Sequence, residues 1–175
     1  MNIQELILTH YKSRDFIQQH TFFIENPQYL EELIEVAQSN LNYPFPQYAS
    51  WWLFHIARSN SKVLLPYQNQ LIDGVLENEN VSVLRNSMGV LLELPTTKYK
   101  EGFLLDRLFH FFQSDNYKVA IEVYALYLLI DFTKKYPEIK LEIIEIIKIK
   151  EEKPHTPALK MGIKNYLKAT KSIPI

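Results

Sequence analysis

The residue types best suited to recognition chemistry crowd between positions 43 and 58. The run Tyr43-Pro44-Phe45-Pro46-Gln47-Tyr48-Ala49-Ser50-Trp51-Trp52-Leu53-Phe54-His55 holds both tryptophans of the chain. Helical spacing places Trp51, His55 and Arg58 on one side, with Trp52 and Ile56 on a neighbouring stripe. Adjacent tryptophans on a helix point in clearly different directions, so one serves the core and the other is available as an interface anchor. Trp51 is the candidate for the exposed anchor, flanked by Tyr48, His55 and Arg58. The bland alternative is that both rings fill space between helices, since aromatic residues carry much ordinary core area.

A second cluster comprises Tyr117, Tyr124, Tyr127 and Asp131. Tyr124, Tyr127 and Asp131 stand at i, i+3 and i+7, which gives one helical face a polar-tipped strip able to hydrogen-bond a partner. Lys160 and Lys164 occupy the columns that hold Trp51 and His55 when the helical segments are superimposed. If those columns face an inner surface, Trp51, His55, Tyr127, Lys160 and Lys164 line one groove. Here too an amphipathic helix with tyrosines at the core edge is the plain alternative.

Chemistry of other kinds lacks the residues it needs. The five histidines, at positions 10, 20, 55, 110 and 155, include no pair at helical metal spacing and no HExxH, so no metal ligand is assigned. There is no phosphate loop, dinucleotide fingerprint or Gly-x-Ser-x-Gly elbow, and no catalytic residue or cofactor is assigned. Cysteine is absent, which removes disulfides, thiolate metal sites and a cysteine nucleophile. His110, set among Phe109, Phe111 and Phe112, reads as a partly buried packing residue. Glu31, Glu32 and Glu35, like Glu151 and Glu152, read as solvated helix faces.

These residues are carried on elements that repeat. The segments 48–58, 84–94, 120–130 and 157–167 superimpose with steps of 36, 36 and 37 residues, and Leu30, Tyr67, Leu104 and Leu141 recur every 37. Such a period specifies paired helices stacked into a solenoid. Only four glycines are present and no Asn-Gly turn joins alternating runs, which disfavours a β architecture. Four helix pairs are expected near 27–59, 61–95, 99–135 and 138–171, with Pro44, Pro46, Pro95, Pro137, Pro154 and Pro157 at their joints. Residues 2–24, including Phe16 and Ile17, read as one or two helices that cap the array, with Ser13 placed to start the second. The stretch 141–150 alternates like a strand, yet Ile143, Ile144 and Ile147 form a helical stripe, and a helix is expected. The column Leu53, Gly89, Ala125 and Gly162 is mostly small, as close helix approach would require. The expectation is one all-α domain over 1–175, with 1–26 as cap, 27–171 as repeats and 172–175 as tail.

The chain resembles the HEAT and armadillo class of α-solenoids, an α-α superhelix, over about residues 27–171. The likeness rests on Asn80-Val81-Ser82-Val83-Leu84-Arg85, on Asp115-Asn116-Tyr117-Lys118-Val119-Ala120 and on Val63-Leu64-Leu65-Pro66. Arg85 is similar to the basic residue often found early in the second helix of a HEAT unit. The resemblance is to an architecture, and the repeat period with the aromatic cluster around Trp51 leads to the expectation of a non-enzymatic scaffold that binds a protein or peptide on a concave face. Some HEAT-like proteins are DNA glycosylases for alkylated bases, so the same resemblance implies a DNA-binding or glycosylase-like enzyme as the alternative. A structural subunit or homo-oligomer joined through an open apolar end is a third.

Composition bears on these choices. Nineteen basic against twenty acidic residues give a net charge of -1, which offers no overall field to attract nucleic acid or an anionic membrane. The most apolar run, 119–132, contains Glu122 and Asp131 and falls short of the roughly 20 residues a bilayer span needs, and no secretory signal is visible. A cytoplasmic address is expected, with no membrane partner.

Overall fold

The computed structural model describes residues 2–13, 19–152 and 156–174. The expectations for Phe16, Ile17, Pro154 and His155, and for a helix started by Ser13, lie outside the described residues. The described residues form ten α-helices, two short 3-10 segments and no strand, so the fold is all-α. The chain falls into two compact units, Met1–Pro95 and Thr96–Ile175.

The first unit contains α1 (Ile3–Ser13), α2 (Gln19–Glu25), α3 (Leu30–Gln38), α4 (Phe45–Asn60), α5 (Gln68–Glu77) and α6 (Val81–Leu92). Local chemistry sets several helix starts. The Asn2 carboxamide oxygen accepts from the amides of Gln4 (2.9 Å) and Glu5 (3.3 Å). The Glu32 carboxylate accepts from the amide of Ile3 at 3.1 Å, so one of the acidic groups expected to be merely solvated ties α1 to α3. Asn80 caps α6 by accepting from Ser82 (3.0 Å) and Val83 (3.3 Å), as its residue type favours. Pro66 lies inside the 3-10 segment Ser61–Tyr67 that leads into α5, a short tight turn in place of a regular helical one.

The helix α4 organises this unit, because α1, α2, α3 and α6 all pack on it. Its Ala49, Trp52, Leu53, Ile56 and Ala57 are buried, and small alanines let neighbours approach while Trp52 supplies area. Eight of the twelve residues of α6 are buried, from Val83 to Leu91 excepting Arg85, which explains a sequence apolar over most of its circumference.

The second unit contains α7 (Glu101–Gln113), α8 (Val119–Lys135), α9 (Ile139–Glu151) and α10 (Pro157–Ala169). The strand-like alternation of 141–150 is thus a helix, held by burial of Ile143, Ile146 and Ile147. Here α8 is central, flanked by α7 and α10. A Cβ built on Gly162 of α10 would meet Val123 of α8 at 3.3 Å, so the small residue marks a close approach. The hydroxyl of Thr133 donates to the carbonyl of Leu129 (2.7 Å) and also meets the Tyr166 hydroxyl (2.9 Å), closing the buried α8–α10 contact.

The expectation for His110 fails. His110 is exposed on α7, where Leu104, Leu108, Phe111 and Phe112 are the buried residues. Burial at 108, 111 and 112 fixes the inward face, and 110 then falls on the opposite side at 100° per residue.

Lys150 of α9 is buried, and its ammonium contacts the Glu122 carboxylate of α8 at 2.9 Å and Asp115 at 3.3 Å. Its charge also lies 5.7 Å from the Phe112 ring centre. Lys150→Met alone strands a buried carboxylate and should cost about 3–5 kcal/mol, whereas adding Glu122→Leu should bring stability back to within about 1–2 kcal/mol of wild type. Urea unfolding of the four proteins in this double-mutant cycle measures the difference.

Candidate functional site

The helices α4 and α6 are the second members of consecutive pairs and lie against each other. Between them lies a cleft of about 270 Å³, lined by Gln47, Tyr48 and Trp51 from α4 and by Ser82, Arg85 and Asn86 from α6. The i, i+3/i+4 spacing on each helix brings the two trios to one side. The adjacent tryptophans part company here. Trp52 is completely buried, with its indole 5.6 Å from the Phe23 ring and 5.9 Å from His10. Trp51 is half-buried in the cleft wall and meets the His55 imidazole edge to face at 4.4 Å.

One lining residue, Asn86, is anchored by buried polar contacts. The Asn86 amide donates to the Ser50 hydroxyl at 3.0 Å, and that hydroxyl donates to the carbonyl of Gln47, also at 3.0 Å. The Asn86 oxygen accepts from the Arg85 guanidinium at 3.3 and 3.4 Å. Among the described residues no carboxylate pairs with Arg85, which is exposed. Ser50 and Asn86 are 36 residues apart, one repeat, so the buried hydrogen bond joins equivalent positions of successive second helices.

Aromatic side chains extend the site along α4. Tyr11, Tyr43 and Tyr48 form an edge-to-face trio with centroids 5.7, 5.7 and 6.3 Å apart, and Tyr43 is 59% exposed. Further along, Arg58 is exposed and lies over the Phe54 ring at 5.6 Å. The expected neighbours Tyr48, Trp51, His55 and Arg58 therefore do share one stripe. A second, larger hollow of about 480 Å³ lies at the turns of the same unit, between residues such as Gln38, Asn40, Glu77 and Asn80. It carries carboxylates and amides but no aromatic ring, so it is the poorer candidate for an interface anchor.

In the second unit, Tyr124 and Tyr127 are half-buried on α8 and Asp131 is exposed. Asp131 is engaged locally by Lys134 at 2.7 Å, and the Tyr127 hydroxyl accepts from Asn165 of α10 at 3.1 Å. Lys160 and Lys164 are exposed on α10. Tyr117 packs on Phe111 at 4.9 Å and His110 at 5.6 Å. Sequence reasoning had passed over Gln47, Ser82 and Asn86 as site residues. The available signal was a polar column, Ser50, Asn86 and Glu122, recurring at a step of 36 within otherwise apolar helices.

Burial, followed by the nearby His20 and Arg58, holds the His55 pKa below its ordinary value of 6.5. The unfolded chain therefore takes up a proton at a pH where folded His55 resists it, and stability should fall as pH drops from 6.5 toward the folded-state value. Between about pH 7.5 and about pH 5.5, the loss of melting temperature should be smaller in His55→Gln than in wild type. Equal losses in the two proteins would contradict this assignment.

A family model described as a HEAT repeat domain matches residues 6–170. No curated protein and no solved structure matches the chain significantly. The match spans almost the whole chain and agrees with the paired helices, their period and the packing of second helix on second helix: the chain belongs to the HEAT repeat family.

Proposed function

We propose that this chain is a non-enzymatic binding scaffold and that the cleft between α4 and α6 receives a protein or peptide partner. The observation that carries this reading is the half-buried Trp51 in the cleft wall beside the exposed Arg85. Tryptophan, tyrosine and arginine dominate binding energy at protein interfaces because they bury large areas while keeping a polar handle. Trp51, Tyr48 and Arg85 supply all three types within one cleft. The exposed side of the second helices is, in this reading, the concave binding side of the repeats. Tyr124, Tyr127, Asp131, Lys160 and Lys164 then furnish the contact residues of the second unit, and Tyr48, Trp51, His55 and Arg58 those of the first.

The α4–α6 cleft should lose its partner on Trp51→Ala and keep it on Phe103→Ala, which truncates a side chain 70% exposed on α7 in the other unit. Affinity capture from native lysate with the three proteins, each first shown to melt cooperatively, makes the comparison. Equal recovery by all three, or recovery by none, would overturn the reading.

A further inference from the structure

The charges of the first unit are divided between its helices. The second helices α4 and α6 carry Arg58 and Arg85 and not one Asp or Glu, whereas the first helices α3 and α5 carry Glu31, Glu32, Glu35, Asp73 and Glu77 and not one Lys or Arg. A near-neutral chain thus presents a cationic cleft side and an acidic opposite set of helices.

Within the cleft the cation is underused. A guanidinium has five N–H donors in a planar fork. Among the described residues, that of Arg85 reaches a single neutral acceptor, the Asn86 oxygen, at 3.3 and 3.4 Å. A carboxylate is the group whose geometry and charge match such a fork. The Trp51 indole lies in the same lining and offers apolar area next to that charge.

We propose that the α4–α6 cleft selects an acidic peptide segment, which presents an Asp or Glu carboxylate to Arg85 and an adjoining apolar side chain to Trp51. This inference rests on the cleft being the partner site. Electrostatics then sets orientation as well as affinity, because the same segment is repelled by the carboxylates of α3 and α5. A nucleic acid is the poorer fit. A duplex carries one charge per roughly 1.7 Å of axis and is held by many phosphate contacts. The exposed stripe of α4 and α6 has two arginines, and the cleft holds one of them in about 270 Å³, room for a side chain or two.

The test is selection of random peptides displayed on phage by the full chain, followed by anisotropy titration of the peptides recovered and of their amide versions, with each Asp or Glu replaced by Asn or Gln. Recovered peptides should be enriched in Asp and Glu. Arg85→Gln should weaken binding about tenfold, the amide peptide should lose a similar factor with wild type, and the two losses should not add. Arg85→Lys should recover only part of the loss, since it keeps the charge and gives up the fork. Arg85 is exposed, so these variants leave the core intact, and melting curves verify it. Peptides that depend on Trp51 but show no acidic preference and no response to Arg85→Gln would overturn this inference and leave the scaffold reading standing. Recovery of no peptide would overturn both. A labelled duplex oligonucleotide that binds wild type, displaces the peptide and loses affinity steeply with salt would assign the cleft to nucleic acid instead.

Discussion

The structure depends on burial of the second helices α4, α6 and α8 by more than one neighbour each. The helix α4 is covered by α1, α2, α3 and α6, and α8 by α7 and α10. An isolated amphipathic helix has one apolar stripe to hide, but α4, α6 and α8 are apolar over most of their surface and are stable only inside a stack. That requirement explains why the repeat is carried by the second helices. Leu53, Gly89, Ala125 and Gly162 are all buried there, with side chains of very different size in equivalent positions. The packing is conserved in pattern and not in residue, so each interface is filled by its own combination.

Such apolar helices could slide along one another without much change in buried area. Buried polar contacts resist this, because they are satisfied in one register only. In the first unit Asn86 reaches Ser50, and in the second Thr133 meets Tyr166 and Lys150 meets Glu122. Each leaves an unpaired buried group if the helices shift by a turn, at a cost of about 1–3 kcal/mol for a neutral group and more for a charge. The same Ser50–Asn86 contact anchors Asn86, a residue of the cleft lining, so the register of the core and the placement of that residue share one hydrogen bond. The division of charge between α3 and α5 on one hand and α4 and α6 on the other then gives that site its sign.

Much of this was legible beforehand at the level of single helices. The 36–37-residue period and the proline joints specified the pairs closely, and the helical stripe in 141–150 outweighed its strand-like alternation. The different directions of Trp51 and Trp52 followed from helical geometry alone, since about 100° separates neighbours on any helix. His110 was misread because its surroundings in sequence are aromatic. Its surroundings in space are set by which side of α7 faces α8, and Phe111 and Phe112 take that side.

The sequence by itself determined which segments are helices, where they end and that they must stack, because propensity, capping and hydrophobic period are properties of one segment. Only the tertiary structure decided which residues meet. Glu32 was an ordinary surface acid until α1 placed the Ile3 amide against it. Lys150 was an ordinary C-terminal helix lysine until α8 placed Glu122 beneath it. Arg85 was one basic residue among nineteen Lys and Arg until α4 brought Trp51 and Tyr48 around it and no carboxylate. Those partners come from helices roughly one repeat away in sequence, and the rotation of one helix against another is fixed by the sum of many small contacts, which no single segment encodes.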